Sequence, residues 1–217
     1  MKVGTDAILL GSWAEATEPS AILDIGTGTG VIALMLAQRF PAARIDAVEI
    51  DAAAIDQATD NFGRSPWADR LAAHSGSIQD FDVDHRYDLI VSNPPYFVNS
   101  LPPGDASRQL ARHDNSLTST DLADAASRLL TTTGRFCVIL PFEQSDKIIA
   151  IATARGMHCS RWCCVRPTPK HQPKRVLLEF TKTTDGPAEE TELTIEIRRH
   201  EYSPEYAELA QAFLLKL

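Results

Sequence analysis

The sequence lacks any long hydrophobic run. No apolar stretch approaches the roughly 20 residues that a membrane-spanning helix requires, and the N-terminus lacks the basic-then-apolar pattern of a secretory signal. We therefore expect a cytoplasmic protein without a membrane partner. The 217 residues, 44% of them hydrophobic, predict one globular domain over residues 1–217 with a sizeable core.

Cysteine is also scarce, and its spacing does not favour a metal site. The chain has four cysteines, and it lacks the two Cys-x-x-Cys pairs that are typical of structural zinc sites. Cys159, Cys163 and Cys164 lie close together in sequence, so a metal site or a disulfide is the alternative there. Isolated cysteines in a reducing compartment more often pack as small apolar side chains. We expect packed thiols and no metal.

The chain has no excess of positive charge. Its 21 Lys and Arg against 29 Asp and Glu give a net charge of −8, which argues against nucleic-acid binding by bulk charge. The distribution is uneven, because residues 155–175 contain six Lys and Arg and no acid. A local basic face can still bind phosphates, although a solvated proline-rich loop explains the same composition. The candidate RNA contacts in this stretch are Arg166, Lys170, Lys174 and Arg175.

Buried strands alternate with apolar helices along the chain, which predicts an α/β fold. Such alternation is typical of a mainly parallel sheet covered by helices on both faces. Towards the C-terminus, polar and apolar residues alternate in the manner of antiparallel strands. The predicted strands cover 21–25, 44–50, 71–75, 87–92, 134–140, 157–165, 174–181 and 192–198, and the predicted helices cover 6–14, 31–40, 52–62, 117–130, 146–155 and 204–215.

A glycine-rich loop, residues 24–30, joins the first strand to its helix. Its glycines, Gly26, Gly28 and Gly30, let the backbone turn tightly and approach a ligand. Such a loop serves either NAD or S-adenosylmethionine. The acid at Asp24 suits the cationic amino-acid tail of S-adenosylmethionine, whereas a dinucleotide would place its pyrophosphate at the helix N-terminus, where an acid is unfavourable. The loop therefore favours the methyl donor.

Carboxylates follow the second and third strands. Glu49 and Asp51 come about 20 residues after the glycine loop, where a carboxylate can accept both ribose hydroxyls. Glu49 is favoured for that role and Asp51 for capping the next helix. After the third strand, Asp80 can accept from an adenine amino group while Ile78 or Phe81 packs the ring. A plain turn is the alternative for Asp80.

The tetrapeptide Asn93-Pro94-Pro95-Tyr96 ends an apolar strand. The Asn93 amide oxygen and the Pro94 carbonyl can accept both hydrogens of a planar amine, such as that of adenine or a glutamine amide. This turns the nitrogen lone pair toward a methyl donor without a metal or a strong base, so catalysis rests on alignment and electrostatics. Tyr96 is expected to stack on an extruded base. A proline-stiffened turn without chemistry is the alternative.

Together these segments resemble a known family. The glycine loop and residues 93–97, with 1–6, 9–11, 111–113, 173–175 and 213–217, are similar to the Rossmann-like S-adenosylmethionine-dependent amino-methyltransferases. Within that class the likeness is to the bacterial N6-adenosine methyltransferases of valine tRNA, which modify position 37. The resemblance implies a seven-stranded, mainly parallel sheet with helices on both faces and an antiparallel C-terminal region. It also implies a tRNA substrate. No obligate protein partner is evident from the sequence.

The resemblance further implies the residues of the site. Members of the family carry a basic and aromatic segment before the run at residues 2–5, which helps to cap the donor or grip tRNA, whereas this sequence begins at that run. The implied acceptor contacts are Asn93, Pro94, Pro95 and Tyr96, with Arg112 and His113 as active-site loop residues. The implied donor contacts are Gly4, Thr5, Asp24, Gly26, Thr27, Gly28, Gly30, Glu49, Ile50, Gln79, Asp80 and Asn93.

Other functions use parts of the same pattern. Glutamine methyltransferases of release factors share the tetrapeptide but usually carry a separate N-terminal helical domain, for which this chain has no room. DNA adenine and ribosomal RNA guanine methylation are further alternatives, since the basic stretch does not choose among nucleic acids. From other classes, a nicotinamide-dependent oxidoreductase would leave the tetrapeptide unused, and a cofactor-binding protein without catalysis would bind the donor alone.

Overall fold

Helices and strands alternate along the chain, as predicted. The computed structural model describes residues 4–95, 117–184 and 186–214. The helices are α1 (Thr5–Trp13), α2 (Val31–Arg39), α3 (Ala52–Gly63), α4 (Ser119–Leu129), α5 (Ser145–Thr153) and α6 (Pro204–Ala210), with 3₁₀ turns at Ala68–Arg70 and Phe142–Gln144. The strands are β1 (Ala21–Ile25), β2 (Arg44–Glu49), β3 (Leu71–Ser75), β4 (Tyr87–Ser92), β5 (Leu130–Pro141), β6 (His158–Arg166), β7 (Arg175–Thr181), β8 (Glu189–Thr194), β9 (Glu196–Arg198) and β10 (Glu201–Tyr202).

One central sheet has the strand order β3-β2-β1-β4-β5-β7-β6-β8. The first five strands in this order are parallel neighbours, which confirms the predicted mainly parallel sheet. β7 lies between β5 and β6 and is antiparallel to both, which confirms the antiparallel C-terminal region. β9 and β10 pair separately as a small antiparallel hairpin.

The last strand of the sheet differs from the prediction. The sheet has eight strands instead of seven, and the strand expected over 192–198 is divided into β8 and β9. β8 pairs in parallel with β6, although its alternating sequence is typical of antiparallel pairing. The reason is that β7 already has a neighbour on each side, so the returning chain pairs at the free edge of β6.

Helices cover both faces of the sheet. One apolar core joins the sheet to α1, α2, α3 and α6, and a second joins it to α4 and α5. β4 is buried at nearly every position because it lies in the middle of the sheet. Its continuous apolar sequence, without alternation, follows from that burial on both faces.

Polar side chains fix where two of these helices begin. Asp51 caps α3 by accepting a hydrogen bond from the Ala54 amide at 2.7 Å, as predicted. Thr118 and Asp121 form a reciprocal capping box at the start of α4. Caps of this kind stabilise a helix by about 1 kcal/mol each. Within the described ranges, no helix is long and apolar enough to cross a membrane.

The parallel strands end at one edge of the sheet, and the strand order reverses between β1 and β4. Ligands of open α/β sheets bind at such a reversal, outside the carboxyl ends of the strands. The C-terminal half reaches the same edge, because Arg175 pairs both with Pro141 at the end of β5 and with Val165 near the end of β6. The β6–β7 turn, residues 167–174, therefore lies at the ligand-binding edge.

We predict that Gly30→Ala destabilises the fold. Gly30 precedes α2 with φ 83°, and an added Cβ would overlap the Phe62 ring of α3. A left-handed conformation and overpacking each cost about 1–3 kcal/mol, so the free energy of unfolding should fall by about 2–4 kcal/mol. The midpoint of urea unfolding measures this. Gly63→Ala is the matched control, since its Cβ would meet nothing within 4 Å. Equal midpoints for the two variants would contradict the packing role.

Candidate active site

A cavity of about 390 Å³ opens at the reversal between β1 and β4. Its walls come from the ends of β1, β2, β3 and β4 and from the residues that follow each strand. The volume is in the range of small-molecule sites. The lining residues are Ile25, Gly26, Gly28, Val48, Glu49, Ile50, Asp51, Ala54, Gly76, Ser77, Ile78, Gln79, Asn93, Pro95 and Leu117.

The glycine loop forms one wall of this cavity. Gly26 and Gly28 have φ of 70° and 58°, a region that side chains with a Cβ rarely adopt. The amides of Gly26 and Thr27 donate to the Val48 carbonyl at 2.9 and 3.2 Å, which folds the loop against β2. Gly30 has a different role, because it is not among the lining residues and packs against α3.

Asp24 and Thr27 lie beneath the loop instead of on the cavity wall. Both side chains are buried, and the Thr27 hydroxyl donates to Asp24 Oδ2 at 2.6 Å. Asp24 Oδ1 has no hydrogen-bond partner among the described residues. Burial raises the pKa of Asp24 to about 7, against the lowering effects of the Thr27 hydroxyl and the Ala33 amide and with a smaller raising effect of the Glu49 charge.

Glu49 braces the loop by accepting hydrogen bonds from three backbone amides. Its Oε2 accepts from the Gly28 amide at 2.9 Å, and its Oε1 accepts from the Ile50 and Asp51 amides at 2.9 and 3.0 Å. A carboxylate offers about four acceptor positions, so capacity for about one further donor remains. The side chain of Glu49 thus joins the loop after β1 to the end of β2 and still faces the cavity.

Apolar side chains and short polar ones form the outer wall. Ile50, at 47% exposure, is one of two large hydrophobic side chains that the structure places in an exposed position, and Ile78 is buried below it on the wall. Ser77 and Gln79 bond to each other through their side chains. Asp80 lies in a turn, is exposed and does not line the cavity, which is the plain-turn alternative for this residue.

The residues after β4 close the inner end of the cavity. Asn93 and Pro95 line it, while Pro94 is buried and faces a small pocket between α4 and α5 that also contains Leu122 and Ile148. The buried Ser92 hydroxyl donates to the Ile25 carbonyl at 2.8 Å and ties β4 to β1. The tetrapeptide thus begins from a fixed point. Tyr96, Arg112 and His113 lie outside the described residues.

Gly4 and Thr5 stand at the start of α1, away from the cavity lining. Gly4 is the N-cap residue, with its carbonyl accepting from the Ala7 amide at 3.1 Å, and both residues are exposed. Asp6 forms an ion pair with Arg175 at 3.0 Å, which ties α1 to the start of β7. This brings the start of α1 to the ligand-binding edge, although neither predicted donor contact is in the wall.

All four arginines of the basic stretch are paired with acids from distant segments. Arg155 pairs with Asp124, Arg161 with Glu15 and Glu179, and Arg166 with Glu192. The sequence could not reveal this, because every partner is at least 18 residues away. Lys170 and Lys174 are exposed, and neither has an acid within ion-pair distance in the part of the chain that the structure describes.

The cysteines are free thiols. Burial raises the pKa of Cys137, Cys159 and Cys163, that of Cys159 to about 11. Packing of this kind matches the interpretation of these residues as small apolar side chains. Sequence reasoning missed other residues of the cavity, Ala54, Gly76, Ser77 and Leu117, although Gly76 and Ser77 directly follow β3 at the predicted edge.

Comparisons with known proteins give one consistent result. The model of the methyltransferase small domain family matches residues 3–147. The chain is 45% identical over its whole length to the tRNA1(Val) (adenine(37)-N6)-methyltransferase of Parabacteroides distasonis, and it covers 92% of that protein. It is 46% identical over its whole length to the protein of the same name from Trichodesmium erythraeum, again covering 92%.

Solved structures share the fold. A predicted O-methyltransferase from Agrobacterium tumefaciens matches with a TM-score of 0.71 at 19% identity, over 95% of this chain and 96% of that one. A putative RNA methyltransferase from Pyrococcus horikoshii matches with a TM-score of 0.59 at 18% identity, over 82% and 81%. At such identities these structures show that the architecture is that of Rossmann-like methyltransferases.

We predict that Asp24→Asn changes how stability depends on pH. The folded pKa of Asp24, about 7, lies above its ordinary value near 3.8, so the contribution of Asp24 to wild-type stability is fully present below about pH 4 and is lost as the pH rises through 7. Asparagine keeps the acceptor for Thr27 without a charge. The variant should match wild type at pH 4 and exceed it at pH 8 by on the order of 2–4 kcal/mol. Urea unfolding at both pH values measures the difference.

The control for this comparison is Asp56→Asn, an exposed carboxyl on α3. Its difference from wild type should be small and the same at both pH values. A wild-type protein that is no less stable than Asp24→Asn at pH 8 would contradict the uncompensated burial of this carboxylate.

Proposed function

The chain belongs to the methyltransferase small domain family and, within it, to the family of the tRNA1(Val) (adenine(37)-N6)-methyltransferases. From that membership we propose that it transfers a methyl group from S-adenosylmethionine to the N6 amine of adenosine 37 in a valine tRNA. The observation that carries the proposal is that Asn93 and Pro95 line the same cavity as Gly26, Gly28 and Glu49. An amine-binding tetrapeptide and a nucleoside-binding wall thus open on one space. A tRNA substrate is consistent with the cytoplasmic location that we expect from the sequence.

The polar and apolar groups that line this cavity suit S-adenosylmethionine. The spare acceptor position of Glu49 fits a ribose hydroxyl, and Ile50 and Ile78 offer apolar surface for the adenine ring. Gly26 and Gly28 leave room for the amino-acid tail because no side chain projects from them. When ionised, the Asp24 carboxylate below the loop adds negative charge on the side where a cationic tail would lie. When bound, S-adenosylmethionine supplies a methyl group on a positively charged sulfur.

The acceptor side requires hydrogen-bond acceptors in a fixed position. In the proposal, Asn93 Oδ1 and the Pro94 carbonyl accept the two hydrogens of the adenine amine and turn its lone pair toward the methyl group. Pro94 packs between α4 and α5, so its carbonyl cannot drift without loss of that packing. No general base is needed, because the nitrogen becomes acidic once alkylated and releases its proton to water. Tyr96 is proposed to stack on the adenine.

A glutamine amide is the second planar amine that such a tetrapeptide can accept. The chain's full-length similarity to tRNA methyltransferases favours adenosine over it. A nicotinamide cofactor is less suited, since no described residue of the cavity forms a hydride-transfer constellation with a substrate.

The first expected outcome is methylation of tRNA. The protein, incubated with labelled S-adenosylmethionine and unmodified valine tRNA transcript, should yield labelled N6-methyladenosine by nucleoside mass spectrometry. A transcript with guanosine in place of adenosine 37 should take no label, because guanine has an oxygen at ring carbon 6, where adenine has its amine. A release factor with its glutamine loop is the parallel substrate. Label in the protein and none in the RNA would overturn the proposal.

A second expected outcome concerns Asn93. Asn93→Ala removes one of the two acceptors for the amine, so kcat should fall by about 10²–10³, the effect of deleting one preorganised polar group at a reacting centre. The Kd for S-adenosylhomocysteine, measured by calorimetry, should change much less. Gln57→Ala, an exposed amide on α3, is the matched control and should keep the wild-type rate. Near-normal turnover by Asn93→Ala would remove the side chain from the mechanism.

A further inference from the structure

The β9–β10 hairpin lies beside the β6–β7 turn at the ligand-binding edge. β8 ends at Thr194, which pairs with Arg166 at the end of β6, and the chain then continues into β9. The amides of Ile195 and Glu196 donate to the carbonyls of Arg166 and Pro167 at 2.9 and 3.0 Å. These bonds hold the two hairpins together.

The base of the β9–β10 hairpin is firmly anchored. The Ser203 hydroxyl donates to the Thr194 carbonyl at 2.5 Å, and the Ser203 amide donates to the Ile195 carbonyl at 2.9 Å. The Tyr202 ring packs on the buried Tyr206 of α6, with 5.0 Å between ring centroids. The hairpin is therefore a supported projection with an exposed tip, residues 197–200.

The exposed tip adds cationic side chains to those of the β6–β7 turn. Arg198 is paired with Glu201, but Arg199 has only His200 as a side-chain partner and no acid of the described chain within ion-pair distance. Lys170 and Lys174 are likewise exposed and without an acid partner in the described ranges. Three uncompensated cations thus stand on two adjoining turns.

One residue with a side chain has a strained backbone conformation in the tip. His200 has φ 65°, a left-handed conformation that glycine or asparagine adopts more easily. Next to it, Ile197 is 46% exposed, and the other large hydrophobic side chain exposed to this degree among the described residues, Ile50, lines the donor cavity. Backbone strain of this kind clusters at functional sites.

We propose that Lys170, Lys174 and Arg199 form a cationic rim that binds the phosphate backbone of the RNA substrate. His200, whose Nε2 accepts a hydrogen bond from Arg199 Nε, positions the guanidinium. The inference rests on the proposed function and deepens it by naming the surface that holds the substrate. Lysine binds phosphate as a point charge, and arginine binds it through paired N–H donors. The β9–β10 hairpin contributes the part of this surface that the basic stretch at 155–175 does not contain.

The position of the rim fits an RNA strand that enters the active site. Neighbouring strands lie about 4.8 Å apart, so turns that emerge from β7, β6 and β8 stand about 10–20 Å from the end of β4 along the edge. That span corresponds to about three to six nucleotides. The carbonyl of Lys174 accepts from the Phe142 amide, and Gln144, in the same 3₁₀ turn, faces the pocket that holds Pro94. The β6–β7 turn and the pocket that holds Pro94 thus adjoin the same 3₁₀ turn, Phe142–Gln144.

The test compares two triple variants of the full chain. The rim variant is Lys170→Gln, Lys174→Gln and Arg199→Gln. The control is Arg44→Gln, Arg64→Gln and Arg86→Gln, which removes the same formal charge at the opposite edge, where β2 begins, α3 ends and β4 begins. Arg64 forms an exposed ion pair with Asp60, whereas Arg44 and Arg86 have no acid within ion-pair distance among the described residues. Binding of unmodified valine tRNA is followed by fluorescence anisotropy across a salt series, and methylation kinetics give KM and kcat.

The rim variant should raise the tRNA Kd and KM by about tenfold or more near 0.15 M salt and lower the salt slope by about 2–3, with kcat and donor Kd within about twofold of wild type. The control should keep the wild-type slope. Wild-type methylation with an unchanged slope in the rim variant would overturn the rim and leave the proposed function intact. Absence of methylation by wild type would instead overturn the function.

Single variants keep the contribution of the β9–β10 hairpin separately testable. Arg199→Gln alone should raise the tRNA KM by about threefold or more and lower the salt slope by up to about 1. His200→Gly should raise the urea midpoint, because it relieves the left-handed strain, and should also raise the tRNA KM. If Arg199→Gln and His200→Gly leave KM unchanged, the hairpin is not part of the RNA surface.

Discussion

The Glu49 carboxylate is the contact on which the geometry of the site depends. It accepts from the Gly28 amide in the loop after β1 and from the Ile50 and Asp51 amides after β2. The glycine loop has few side chains of its own to hold it, so these bonds and the two to the Val48 carbonyl define its shape. The same carboxylate retains an acceptor position toward the cavity. Rigidity of the loop and the proposed recognition of a ribose hydroxyl therefore depend on one group, and a change in its charge is expected to affect both.

The parallel half of the sheet could be predicted because its signals are local. A buried strand, a glycine turn and a helix follow one another directly, and Asp51 caps α3 three residues from its acceptor. The C-terminal half could not be predicted in the same way, because the partner of β8 depends on which strand edge is still free. The direction of the Asp24 side chain also could not be predicted from neighbouring residues in the sequence. It lies below the loop because β1 is buried on both faces.

Arginine pairing explains why the composition of residues 155–175 overstates the basic surface. Glu179 is almost completely buried in β7, and Arg135, Arg161 and the Ser160 hydroxyl all reach it. A buried carboxylate needs several such donors to offset its desolvation. These arginines are ion-paired within the fold and are not available to a ligand. Because their acid partners are 18 or more residues away in sequence, composition alone does not show which cations stay unpaired. Within residues 155–175, the two cations without an acid partner among the described residues are Lys170 and Lys174, and both belong to the β6–β7 turn.

The antiparallel direction of β7 places the donor cavity and the cationic rim at the same edge of the sheet. Because β7 runs antiparallel beside β5, the β6–β7 turn lies at the carboxyl edge, and β8, parallel to β6, ends there as well. A parallel strand in the place of β7 would begin at the opposite edge and leave the donor loops without this neighbour. With a net charge of −8, much of the remaining surface repels RNA. In the proposed function, the cations of the rim then favour orientations in which the RNA meets the protein along the edge that contains Asn93.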